Sequence, residues 1–226
     1  MRERLASTDE TDAAGFVLAG GQSSRMGRDK ALLHFAGRPL VAHALDLLRE
    51  ACLPAAIAGA SPAASSTLTT YAPIVLDPQP GLGPLAGICA ALGAASARFV
   101  VFLPIDLPLL PPALVAYLLH HARITGRAVT VPSVNGFAQT FPVVLDRSTL
   151  PVLKVELDSG KRSCFSAFQV AAESFGQPIA VIAVEMLAQS GQVAHPFDLA
   201  PLRWFLNLNT PQDLQRAEAL WPHAIA

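Results

Sequence analysis

The 226-residue sequence predicts an α/β fold, a single domain in which a mainly parallel sheet is sandwiched by helices and a hairpin is inserted in the second half. Three observations predict it. Short, continuously apolar runs alternate with longer segments that repeat apolar residues at helical spacing, the pattern of strands buried on both faces and their crossover helices. The connections between successive runs are too long for hairpins, which makes the strands parallel. The exception is Asn135-Gly136, a tight-turn dipeptide set between two apolar runs, and it marks the hairpin.

Residues 1–14 carry alternating charges and no apolar stretch of the secretory-signal kind, and are expected to form a disordered tail ahead of one domain over 15–226. The apolar run 15–21 ends in paired glycines and reads as the first strand. Residues 39–51 follow as a helix, with Leu40, Ala44, Leu47 and Leu48 on one face behind a proline suited to a first turn. Residues 55–60 read as a strand, the Ser-rich stretch after them as loop or short helix, and 73–77 as another buried strand. The proline- and glycine-dense stretch 78–84 is a loop, 85–95 a helix apolar all round, and 97–106 the strongest strand of all. Pro111 and Pro112 open a helix through Leu114, Leu118 and Leu119, and 128–133 is a strand leading into the hairpin. The last third reads as helices over 149–157 and 164–173, strands over 180–185 and 204–208, and a helix over 211–220 with Thr210 as its N-cap.

Sixteen Lys+Arg against 17 Asp+Glu leave a net charge of -1, so no basic surface for a polynucleotide is implied. Hydrophobic residues make up 52% and charged residues 15%, enough apolar material for a large core. The most apolar stretch, 99–122, is broken by Asp106 and four prolines, so no membrane span is expected. Cys52, Cys89 and Cys164 lie far apart, without the spacing of a zinc site or a disulfide framework, and a reducing cytoplasm is the expected setting.

In an open parallel sheet, ligands collect beyond the carboxyl ends of the strands. Gly20 and Gly21, after the first strand, permit the backbone turns that aim successive N–H groups at an anion, and Arg25 and Lys30 add positive charge suited to a triphosphate. The loop is neither a Walker P-loop, since no Gly-Lys-Ser/Thr follows, nor a dinucleotide fingerprint, since position 22 is Gln. Asp77 stands at a strand end beside glycines that open space for a flat base; a helix-cap or turn aspartate is the alternative. Gly83 and Gly87 serve either that opening or tight helix packing. Asp106 is a lone carboxylate delivered to a strand terminus by an apolar run, and magnesium needs only one or two protein carboxylates when phosphate oxygens and water complete its shell. Asn207 and Asn209, at alternate positions of a strand, would point to one side, while Asn-Thr-Pro before a helix also satisfies capping alone. His43, His120 and His121 have no partner at ligand spacing and read as structural.

Leu-Ala-Gly-Gly at 18–21, with Arg25-Met26-Gly27 and Asp29-Lys30, closely resembles the signature loop of the molybdenum cofactor guanylyltransferases within the wider nucleotidyltransferase family. Gly-Pro-Leu-Ala-Gly at 83–87, Asp106-Leu107-Pro108 and the segment 207–214 follow in that family's order, so the resemblance spans residues 15–220. It implies a Rossmann-like nucleotidyltransferase fold and transfer of GMP from GTP to the phosphate of molybdenum-loaded molybdopterin, with Mg2+ assisting and pyrophosphate leaving. It also implies a nucleotide site of Leu18, Ala19, Gly20, Gly21, Lys30, Asp77, Gly83 and Asp106, with Arg25, Lys30 and Asp106 in catalysis and Asp106 with Asn209, or Asn207, on the metal. Lys161 and Arg162 are implied contacts for the acceptor phosphate, a solvated turn being the other reading. Transient contact with proteins that deliver or accept the cofactor goes with that role. Leu-Ala-Gly-Gly and the 83–87 segment favour GTP over CTP. Two departures from the pattern are the absence of an asparagine over 58–66 and the low charge of 134–142. The alternatives are a nucleotidyltransferase using CTP or another phosphorylated acceptor, and a non-catalytic nucleotide- or cofactor-binding accessory protein.

Overall fold

The computed structural model describes residues 12–19, 30–51, 53–60, 62–77 and 81–222. The chain runs through β1 (Ala13–Leu18), a small ribbon of β2 (His34–Phe35) and β3 (Arg38–Pro39), α1 (Leu40–Glu50), β4 (Ala55–Ala60), α2 (Pro62–Leu68) and β5 (Ile74–Leu76). It continues with α3 (Pro84–Ala94), β6 (Phe99–Pro104), α4 (Pro112–Thr125), β7 (Val129–Val134), β8 (Phe137–Ala138) and β9 (Val143–Asp146). The last part is α5 (Leu150–Asp158), α6 (Cys164–Ser174), β10 (Ala180–Ala183), α7 (Val184–Gln189), α8 (Pro201–Trp204) and α9 (Pro211–Glu218).

The main sheet has the order β10-β7-β9-β6-β1-β4-β5, with β8 paired to β7. β1 is parallel to β4 and β6, β4 to β5, and β7 to β10. β9 is antiparallel to both β6 and β7, so those two point the same way and every parallel strand ends on one rim. Side chains alternate between two cores. Along β6, Phe99, Val101 and Leu103 face the core shared with α1 and α4, whereas Val100 and Phe102 face the one shared with α3, α5 and α6. Asn135 and Gly136 turn β7 into β8, both at positive φ as the turn demands.

Four expectations need correction. β1 starts at Ala13 rather than Gly15, because Asp12 and Ala13 already pair beside Phe99 of β6; residues 1–11 of the expected tail lie outside the described residues. β5 is an edge strand with Leu76 53% exposed, not a buried one. The strand expected over 180–185 ends at Ala183, where Val184 starts α7 and Glu185 Oε1 accepts a 2.6 Å hydrogen bond from the N–H of Asn135. The strand expected over 204–208 does not form. Pro201 starts α8 instead, and the chain beyond it bonds the turn past the end of β6, through the N–H of Leu208 and the carbonyl of Asp106, without joining the sheet.

Candidate active site

Three side chains distant in sequence meet on the rim where the parallel strands end. Lys30 Nζ donates to Asp106 Oδ2 at 2.9 Å and to Asn209 Oδ1 at 3.0 Å. The Lys30 and Asp106 side chains are 17% and 22% exposed, so the cluster is sheltered yet open to a ligand. Lys30 begins a single 3-10 turn whose Ala31 is buried, which roots the start of the side chain against the core. Asp106 lies in the turn after β6, between the buried side chains of Ile105 and Leu107. An apolar strand that runs out into solvent must end in a group that water or a ligand can satisfy, and here that group is a carboxylate.

Asn209 is placed by the main chain. The N–H of Leu208 donates to the carbonyl of Asp106 at 3.0 Å, which staples the 206–209 segment to the Asp106 turn. Asp213 Oδ2 accepts from the N–H of Asn209 at 3.3 Å and from the N–H and Oγ1 of Thr210 at 2.9 and 2.8 Å. Thr210 Oγ1 in turn accepts from the N–H of Asp213, completing a capping box on α9. These bonds, those from Thr210 first, hold the Asp213 carboxyl below the ordinary carboxylate range. Thr210 is the N-cap that was expected, whereas Asp213 was missed; its signal, a Thr with an acid three positions on, is present in the sequence. Asn207 and Asn209 are not on a strand, and Lys30 bonds the latter.

The remaining predicted residues divide as follows. Leu18 closes β1 opposite Pro104 of β6, and Ala19 extends the strand by a 3.0 Å bond to the carbonyl of Ala58. Gly20, Gly21 and Arg25 lie outside the described residues, as does Cys52. Asp77 follows β5 on the same rim as Asp106. β1 and β4 lie between their strands, three inter-strand spacings of about 4.8 Å in all. Gly83 is the N-cap of α3 with φ +85°, a conformation other residues adopt only under strain, and a Cβ there would meet open space. Gly87 is a packing residue: a Cβ on it would stand 3.0 Å from the Cα of Gly59 in β4.

Beyond α5, Lys161 Nζ is paired with Glu156 Oε2 at 2.7 Å, whereas the Arg162 guanidinium donates only to the carbonyls of Lys161 and Leu157 among the described residues. β9 ends at the far rim and α5 starts beside Gly93, near the far end of α3, so α5 returns this loop toward the carboxyl rim. His195, also missed, is structural. Its Nε2 donates to the carbonyl of Leu109 at 2.9 Å and its Nδ1 accepts from the N–H of Phe197 at 3.1 Å, pinning the end of the Asp106 loop. Burial pushes the Cys89 and Cys164 thiols up to about 11 and about 12, so both are inert.

Comparison with known proteins accords with this geometry. Residues 15–196 match the family described as the MobA-like NTP transferase domain. A molybdenum cofactor guanylyltransferase of Rhodobacter capsulatus is 35% identical over 210 residues, covering 91% of this chain and 94% of that protein. Another, of Xanthomonas euvesicatoria, is 46% identical over 106 residues, 46% of this chain and 52% of that protein. In fold, the chain is similar to molybdopterin-guanine dinucleotide biosynthesis protein A from Archaeoglobus fulgidus, with TM-score 0.74, 22% identity and coverage of 92% of this chain and 97% of that one. The match over most of the chain, on a sheet whose rim gathers a lysine, an aspartate and an asparagine, means that this protein belongs to the MobA-like NTP transferase family and is an enzyme of the nucleotidyltransferase class.

Proposed function

We propose that the protein transfers GMP from GTP to the phosphate of molybdenum-loaded molybdopterin, releasing pyrophosphate and forming the guanine dinucleotide cofactor. The observation that carries the reading is the convergence of Asp106 Oδ2 and Asn209 Oδ1 on one cationic centre, the Lys30 ammonium, at 2.9 and 3.0 Å. It is supported by the full-length similarity to proteins named for that activity.

Nucleotidyl transfer asks the protein for positioning and charge neutralisation rather than covalent help. In this reading Leu18, Ala19, Gly20 and Gly21 bring backbone to the nucleotide, Asp77 and Gly83 border the base, and Arg25 and Lys30 neutralise the phosphates. The acceptor's phosphate attacks the α-phosphorus in line as pyrophosphate departs. No general base is needed, because a phosphate monoester is largely dianionic near neutrality, its second pKa being about 6. Arg162 is the cation available to the acceptor phosphate, since the charge of Lys161 is already matched by the buried Glu156.

The donor set suits a hard divalent cation. Asp106 and Asn209 offer two oxygens directed at a common point, and no cluster of three or more His, Cys, Asp or Glu gathers among the described residues, which fits an ion completed by phosphate and water. Mg2+ held by these two residues would neutralise the triphosphate and polarise the α-phosphate when bound. No helix among the described residues is long and apolar enough to cross a membrane, and the reading places the reaction in the cytoplasm, with only transient contact to proteins that deliver or accept the cofactor.

The test is pyrophosphate release on incubation with molybdenum-loaded molybdopterin, Mg2+ and either GTP or CTP. Release with GTP alone is expected. Preference for CTP would overturn the base assignment, and nucleotide binding without product under either would favour an accessory role.

A further inference from the structure

The Lys30 ammonium occupies the point at which the Asp106 and Asn209 oxygens converge. From this we infer that Lys30 guards the cation site of the nucleotide-free enzyme, so that the form of substrate admitted is a divalent cation already carried on a triphosphate, not the free ion. The inference rests on the proposed nucleotidyl transfer and adds an order of binding to it.

The physical argument has three steps. First, Lys30 Nζ satisfies Asp106 Oδ2 and Asn209 Oδ1 simultaneously, and the side chains of the ion pair are only 17% and 22% exposed, so the pair is less screened than a surface one. A free divalent ion must break two hydrogen bonds to a charged group, one of them with a carboxylate, and shed its own water. Second, the lysine stem is long and flexible and its head is a compact point charge, so it can move to a new anion without disturbing the buried Ala31 beside it. Third, a triphosphate gives the ammonium such an anion and brings the divalent ion with it, so both cations find partners in one event. The site then excludes free metal by competition and accepts the complex.

The experiment titrates Mn2+ into the full-length protein without nucleotide and follows the free ion by its electron paramagnetic resonance signal. Lys30→Met is expected to bind Mn2+ at least about tenfold more tightly than wild type, the order set by two charge-assisted hydrogen bonds. The Lys30→Met/Asp106→Asn double variant is expected to lose that gain. Should Lys30→Met fail to fold, Lys30→Gln carries the same expectation. Equal affinity in wild type and the folded Lys30 variant overturns the guarding role, as does a gain that persists in the double variant. A melting curve of the wild type with Mg2+ and GTP is read separately. A shift there with no Mn2+ gain in Lys30→Met sinks the guard alone, whereas a Mn2+ gain with no nucleotide shift sinks the proposed reaction, and with it the order of binding, and leaves only the competition between Lys30 and the free ion.

Discussion

Asp106 was legible because a carboxylate that ends an unbroken apolar run has few structural uses. Its partners were legible only through the family resemblance, which set Lys30 with it in catalysis and Asn209, or Asn207, beside it on the metal. Lys30 lies 76 residues before it and 179 before Asn209, and nothing in local pattern links such positions. Asp106→Asn keeps the shape of the side chain, and Lys30 retains its bond to Asn209, so the melting temperature should stay within a few degrees of wild type. Its effect belongs to the reaction: pyrophosphate release should fall by about 10²-fold or more, the scale on which preorganised electrostatic groups act. Near-normal turnover in Asp106→Asn would remove it from the mechanism. Arg162→Ala should raise KM for the acceptor with little change in KM for GTP, and Lys161→Ala should do less, because Lys161 is already engaged with Glu156.

At the level of elements, the two glycines of the segment 83–87, for which the sequence leaves base opening and helix packing as alternatives, take different parts. Gly83 opens α3 at a positive φ, whereas Gly87 lets α3 approach the backbone of β4, with its notional Cβ 3.0 Å from Gly59. Gly87→Ala therefore crowds backbone that cannot yield as a flexible side chain would. A loss of about 1–3 kcal/mol is expected, read as a melting temperature lowered by several degrees with KM for GTP little changed. A fall in nucleotide affinity at unchanged stability would return Gly87 to the binding site. α9 shows the reverse. Its capping box looks like helix chemistry alone, yet Asp213 also binds the N–H of Asn209, so the cap and a site residue share one carboxylate. Thr210→Ala should weaken α9 by about 1 kcal/mol, and it should lower turnover more than Gln215→Ala, a change on the same helix away from the cap; equal turnover in the two variants would separate the cap from the site.

On the scale of the whole molecule, the segment after β10 crosses the carboxyl rim and is fastened by aromatic contacts. Trp221 meets Phe35, His43 and Phe197 with ring centroids 5.1, 5.3 and 5.0 Å apart, and His195 lies on Phe197 at 5.4 Å and Trp204 at 5.8 Å. Burial pulls the pKa of His43 and His195 below 6.5, outweighing the carbonyls of Phe35 and Leu109 that favour the charged form, and burial also lowers His121. Below about pH 6.5 the unfolded chain takes up protons that the folded chain refuses. These histidines contribute stability that is present above the unfolded value and lost as pH falls toward the folded one. A scan of melting temperature between about pH 8 and pH 5 should be flat at first and then descend below about 6.5. A flat profile throughout would show that the cluster tolerates the charge.

Taken by itself, the sequence determined the layered α/β architecture, because apolar period and breaker residues are local properties, and it determined that a lone aspartate follows the strongest strand. Tertiary structure alone decided that Lys30 bonds both Asp106 and Asn209, and Asn209 instead of Asn207, that Asn209 is reached by a stapled loop instead of a strand, and that the charge of Lys161 is spent on Glu156. The physical reason is that strand order is set by how faces bury against one another. That order carries residues far apart in the chain to one rim, where charge and hydrogen bonding choose their partners.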